Sequence, residues 1–352
     1  MIPTLDQNRK QHTNPAGKKV ISIAMQGGGA HGAFSWGVLD KLLEDGRFII
    51  EGVTGTSAGG MNAVATVQGL IEGGNEGARA LLKRYWKTIS DKSNVSGIHR
   101  GIVDRLLGKY TMYNSPEFIM FDYMSKMLSP YQSNPFNVNP LKEVIDEVFD
   151  FSKIHCTDQY KVFLAATHVY TGKIKIFSNK EINTDTLLAT GCLPTVFHAA
   201  YVNGEYYWDG GFTANPVMFP LIYNCESPDI VILKLNPTHR NKLPVTACEI
   251  SDRLNEITNN ASILKEMRAI KFISDLIDKK DLDPAKYKRI YVHDIENENT
   301  FQDCGWSSKL NSEWEFLMHL FEEGRKTADE WIKKNYEFIG KKSTIDEVEM
   351  FC

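Results

Sequence analysis

Three short stretches hold residues whose types and spacing suit acyl transfer. Gly27-Gly28-Gly29-Ala30-His31-Gly32 follows an apolar run and precedes a helical pattern. A helix N-terminus carries unpaired N–H groups and a partial positive charge, and successive glycines let backbone approach a bound oxygen, so this segment is a ready anion cradle. Gly55-Thr56-Ser57-Ala58-Gly59 fits G-x-S-x-G, the sharp strand-to-helix turn that lifts a serine hydroxyl above a sheet. Tyr206-Tyr207-Trp208-Asp209-Gly210-Gly211, with Asn215-Pro216 just beyond, offers a carboxylate beside two glycines. A serine hydroxyl is a poor nucleophile until a neighbour takes its proton, and a carboxylate within hydrogen-bond reach can do so.

Each stretch has a competing meaning. An isolated Asp-Gly is ordinarily a turn. The glycine segment also fits G-x-G-x-x-G, the dinucleotide fingerprint, and Glu51, 19 residues after Gly32, stands near the place of a ribose-binding acid. Against that, the next strand runs straight into the serine turn, which a dinucleotide enzyme does not need. Ser57, Asp209 and a later histidine (His239, His293 or His319) would satisfy the chain order of an α/β-hydrolase triad. Here, though, the serine follows the second predicted strand, and none of the three histidines has a turn-like setting.

The elements that must position these residues are legible nearby. Val20 to Met25 reads as a buried strand. Phe34, Val38, Leu39, Leu42 and Leu43 recur at helical spacing before Gly46. Phe48 to Val53 reads as a second strand ending at Gly55, and Ala58 to Leu70 as a second buried helix. Residues 20–70 thus form a β-α-β-α unit, whose right-handed crossover gives parallel strands. Tyr160–Val169 and Lys173–Phe177 flank Thr171-Gly172 as a hairpin; Ile230–Leu233 and Ile290–Val292 read as further strands; Ser312–Ile339 reads as a helix docked on the core. Residues 1–18 are expected to be a flexible tail. Residues 88–140, punctuated by Ser115-Pro116, Ser129-Pro130, Asn134-Pro135 and Asn139-Pro140, read as an inserted segment rather than a domain. Its aromatic and Met-rich run Tyr110–Leu128 suits either the core or a cover that engages lipid, with Phe118 and Phe121 in the lipid-facing version.

With 352 residues, the chain can bury a sizeable core. Apolar residues make up 42% and charged residues 24%, as in ordinary globular proteins, and the formal charge of −4 argues against a general nucleic-acid binder. The six cysteines form no C-x-x-C pair, which fits reduced thiols better than zinc ligation or a disulfide framework, and Cys352 leaves no prenylation box. The polar N-terminus lacks a secretory signal, and no run approaches the ~20 apolar residues that span a bilayer. A cytoplasmic protein with transient, peripheral membrane contact is expected; export without an N-terminal signal stays open.

The combination of GGGAHG, GTSAG and DGG resembles the patatin-like phospholipases, and Ala189-Thr190-Gly191-Cys192-Leu193-Pro194 is similar to that family's block between serine and aspartate. The resemblance covers residues 19–220 as a catalytic domain; residues 221–352 resemble the C-terminal part of some bacterial members and are expected to pack on the same domain. It implies a three-layer α/β/α fold with a central, mostly parallel sheet and a serine nucleophile elbow. It implies Ser57 as nucleophile and Asp209 as general base of a dyad without histidine. The backbone N–H groups of Gly27, Gly28 and Gly29 would form the oxyanion hole, with Gly32, Gly55, Gly59, Gly210 and Gly211 completing the motifs. The implied substrates are acyl esters of phospholipids or lysophospholipids, with no metal or cofactor. One departure stands out: His31 occupies a position where the family often has Lys or Arg.

Overall fold

The structure is a computed structural model that describes residues 17–93, 99–283, 286–302 and 304–345. Most of the expected N-terminal tail (residues 1–16), Cys352 and residues 94–98 of the inserted segment lie outside the described residues.

Alternating apolar strands build one sheet with a core on each face. Its strands are β1 (Lys19–Met25), β2 (Phe48–Gly55), β3 (Lys161–His168), β4 (Ile174–Ser178), β5 (Ala200–Val202), β6 (Glu205–Asp209), β7 (Asp229–Leu233) and β8 (Tyr291–Ile295). They lie in the order β5-β6-β3-β2-β1-β7-β8, with β4 also paired to β3. β3, β2, β1, β7 and β8 run parallel, while β4, β5 and β6 add antiparallel pairings at one end. Because strand side chains alternate, Ile21, Ile23, Met25, Val231 and Leu233 enter one core, and Ala24, Ile230 and Ile232 enter the other. The first core is closed by helix α1 (Gly32–Asp45), helix α2 (Ala58–Ser93) and the C-terminal helix Trp314–Asn335. Ile263, Met267 and Ile270 of the helix Ala247–Asp278 close the second. This is the three-layer α/β/α arrangement with a mostly parallel sheet.

The local expectations from residues 20–70 match these elements. α1 stops at Gly46, whose φ of 71° caps it in the left-handed region. α2 runs past Leu70 to Ser93, interrupted at Gly73 and Gly74. The C-terminal helix packs on α1 and buries Phe316, Leu317, Leu320 and Trp331. Among the described residues no helix is long and apolar enough to cross a membrane.

The inserted segment is more regular than its punctuation implied. Three of the four X-Pro pairs begin helices: Pro116–Met127, Pro130–Ser133 and Pro140–Val148. Proline at the first helical position loses no hydrogen bond, and Ser115 and Asn139 accept N–H bonds from Phe118 and Leu141 as caps. On the helix Pro116–Met127, Ile119, Met120, Tyr123, Met124 and Met127 are exposed. Their spacing confines them to one face at 100° per residue. Phe118 points the other way, is only 3% exposed, and packs on Tyr113 and Trp306. Phe118 is therefore core, and Phe121 is half-buried, so neither belongs to an exposed lipid-facing surface.

Candidate active site

The parallel strands end at one edge, and the site is assembled there. Met25 at the end of β1 is in register with Gly55 of β2 and Leu233 of β7. The glycine segment, the serine turn and the residues after β7 therefore emerge side by side. Asp209 arrives by a different route. Phe163 and Leu164 of β3 pair with both β2 and β4, while Ala166 and Thr167 pair with both β4 and β6. β2 and β6 thus share the edge of β3 opposite β4, and β6 takes over where β2 stops. Gly55 lies opposite Leu164 and Asp209 opposite Ala166, so the chain leaving β2 at Ser57 meets the end of β6.

Ser57 has φ of 54°, the left-handed region that a non-glycine residue enters only when its surroundings enforce it. The enforcement is close packing of Gly55 against Gly59, where a side chain on either would strike backbone. The Thr190 hydroxyl fixes the turn from the side. It accepts from the Ser57 N–H (3.1 Å) and donates to the Ala165 carbonyl (2.6 Å). Ser57 and Asp209 line one cavity, where the serine side chain favours the charged carboxylate, which accepts the Gly211 N–H at 2.7 Å. Asp209 is 5% exposed; burial pushes its carboxyl up to about 6, while the bond from Gly211, the neighbouring Ser57 hydroxyl and the charge of Lys309 pull it down.

The three glycines are not equivalent. The Gly27 N–H donates to Asn215 Oδ1 at 2.6 Å, so it is not a free donor as the sequence led us to expect. The reason is a polar brace the sequence did not reveal: Asn215 Nδ2 donates to Asn259 (3.0 Å), and Gln26 joins Asn215, Asn260, Leu235 and Asn236. Gly28 and Gly29 have no hydrogen-bond partner for their N–H groups among the described residues. Gly29 has φ of 57°, and a Cβ there would collide with the Lys309 carbonyl. Together with Ser57 and Asp209, these glycines line a cavity of about 140 Å³ completed by Leu193, Phe212, Asn255, Thr258, Trp306, Lys309 and others.

The remaining sequence candidates lie elsewhere. His31 is buried between Phe301 and Phe316, with Nε2 2.7 Å from Ser308 Oγ, and burial followed by the charges of Lys309 and Arg240 holds it well below its usual pKa. It is neutral and supplies no charge to the pocket. Glu51 accepts the N–H groups of Glu226 and Ser227, away from the glycine segment. His239 and His319 are exposed, and His293 is buried between Asp229 and Thr344; none lines the Ser57 cavity. Among the described residues no cluster of His, Cys, Asp and Glu is arranged to hold a metal ion.

A family model described as "Patatin-like phospholipase" matches residues 23–222, more than half of the chain. The chain belongs to the patatin-like phospholipase family. Residues 23–222 contain all three motifs. A search of curated proteins gave no match. Among solved structures, VipD from Legionella pneumophila aligns at 14% identity over 88% of this chain and 67% of its own, with a TM-score of 0.32. ExoU, crystallised full-length with SpcU from the type III secretion system of Pseudomonas aeruginosa, aligns at 13% identity over 90% of this chain and 52% of its own, also at 0.32. The chain therefore spans about half of ExoU, and likeness at that TM-score carries no weight beside the family match.

Proposed function

We propose that the protein is a serine acyl hydrolase that cleaves fatty acyl esters of phospholipids or lysophospholipids through a Ser57–Asp209 dyad. The observation that carries this reading is that Ser57 and Asp209 line one cavity with Gly28 and Gly29, whose N–H groups have no internal partner among the described residues. Asp209 takes the Ser57 proton as Oγ attacks the ester carbonyl. The tetrahedral oxygen is received by the Gly28 and Gly29 N–H groups; one such donor is typically worth about 3–4 kcal/mol of transition-state stabilisation. The proton passes from Asp209 to the leaving alcohol, leaving an acyl-Ser57. Water, deprotonated by Asp209, attacks that acyl group; its collapse returns the proton to Ser57 and frees the fatty acid. A base titrating near 6 is ionised at neutral pH yet is a better proton acceptor than an ordinary aspartate.

Access to lipid is supported by the exposed face of Pro116–Met127. Its buried Phe118 packs on Trp306, and Trp306 lines the cavity, so the helix that carries the apolar face is joined to the pocket wall through its opposite side. An apolar, Met- and Tyr-bearing helix face suits peripheral insertion at the headgroup boundary. Product analysis on a panel of diacyl and lysophospholipids tests the reading: wild type should release free fatty acid and Ser57→Ala none. Fatty acid release by folded Ser57→Ala at more than a few per cent of the wild-type rate would refute it.

A further inference from the structure

We propose that Lys309 is the positively charged member of this active site, braced beneath the glycine segment so that its field favours negative charge at the oxyanion position. The inference rests on the hydrolase reading above and adds a residue that no motif marks. Three observations support it. First, Lys309 sits directly beside the donor loop: its carbonyl packs against Gly29, and the residue lines the Ser57 cavity. Second, its Nζ is fixed by a hydrogen bond to Asn236 Oδ1 at 2.8 Å. Asn236 Nδ2 donates in turn to Gln26 Oε1 at 3.1 Å, and Gln26 is the residue before Gly27. The ammonium is thereby tied to the root of the loop that carries Gly28 and Gly29. Third, Lys309 forms no ion pair among the described residues. The acids that face it are otherwise engaged: Glu256 pairs with Arg240 and Arg253, and Asp252 accepts from Tyr113 and from the Trp306 N–H. Asp209 is the remaining acid whose charge reaches it, Arg240 opposes it, and neutral His31 lines the small adjoining cavity.

A desolvated cation without an ion-pair partner costs free energy in a folded protein, and charges held at such a cost cluster at functional sites. Burial lowers the Lys309 ammonium to about 8, with Glu256, Asp252 and Asp209 opposing that fall. During attack, the proton moves from Ser57 to Asp209 and the negative charge moves from Asp209 to the substrate oxygen over Gly28 and Gly29. A cation held by Asn236 behind the glycine segment assists that displacement while remaining untouched by the reacting atoms. Lys309 is in this sense a positioning residue, and it acts on any ester, whatever its headgroup.

The test compares wild type, Lys309→Met and Lys309→Arg on a neutral short-chain p-nitrophenyl ester and on lysophosphatidylcholine between pH 5 and 9.5. Lys309→Met should lose about tenfold or more in kcat on both substrates, within the range seen for removing one oxyanion contact, and should lack the alkaline decline near pH 8. Lys309→Arg should recover much of the activity and carry the plateau past pH 9. Circular dichroism and fluorophosphonate labelling of Ser57 establish that the variants are folded. Loss confined to lysophosphatidylcholine would make Lys309 a phosphate contact and overturn the proposal. Wild-type rates for Lys309→Met at every pH would overturn it as well, leaving the dyad standing. No turnover of either ester by wild type would overturn the hydrolase reading and this one together.

Discussion

Replacing Asp209 with asparagine should abolish turnover and stabilise the fold, and the two effects come from one cause. The carboxyl is 5% exposed and titrates near 6, against the usual 3.8. Between about pH 4 and 6 the folded chain holds a proton that the unfolded chain has released, so stability falls as pH rises through that window. Above 6 the full penalty of a buried carboxylate is in force. At about 1.36 kcal/mol per pH unit, a rise of roughly two units amounts to ~3 kcal/mol. Asparagine keeps an oxygen to accept the Gly211 N–H and removes the charge. Asp209→Asn should therefore be more stable than wild type by about 1–3 kcal/mol at pH 8, with the gap closing near pH 4. Urea unfolding followed by tryptophan fluorescence at both pH values measures this. Equal stability at pH 8, or a gap that acid does not close, would refute the argument that burial raises the basicity of Asp209.

Two further outcomes follow from the placement of side chains. His239→Ala and His319→Ala should turn over like wild type, and His293→Ala, which breaks the buried bonds to Asp229 and Thr344, should lose stability but keep its activity per folded molecule; inactivity in any folded histidine variant would restore the triad. Met120→Ser with Met127→Ser should weaken sedimentation with phospholipid vesicles severalfold and spare a soluble short-chain ester. Phe118→Ser should instead lower the melting temperature by several degrees, since truncating a buried aromatic removes about 3–5 kcal/mol; the reverse pattern would put the lipid-facing surface elsewhere.

What the sequence disclosed follows the range of the interactions. The strand, glycine segment, helix, strand and serine turn over residues 20–59 depend on neighbours close in the chain, so periodicity and glycine placement locate them within a residue or two. Asp209 was legible as a candidate, but its meeting with Ser57 depends on β6 continuing an edge of β3 that β2 has vacated, a pairing between segments far apart in sequence. The short strand β5 and the helix Ala247–Asp278 gave no periodic signal; that helix buries few apolar positions along its length, and the capping box of Thr246 and Glu249 at its start went unread. Gly27 was misassigned because its N–H is taken by Asn215, 188 residues away. Lys309 sits in the 3-10 turn Trp306–Leu310, and only packing of that turn on Gly29 brings it to the site.

The dyad is tested most directly by reacting the protein with a fluorophosphonate and mapping the adduct by peptide mass spectrometry, with the labelling rate followed from pH 4.5 to 8. A single adduct on Ser57 is predicted, forming faster as pH rises through about 6, absent from Ser57→Ala and slowed at least a hundredfold in Asp209→Asn, within the range typical of losing a general base. An adduct on a different residue, or labelling of Asp209→Asn at the wild-type rate, would contradict the Ser57–Asp209 assignment.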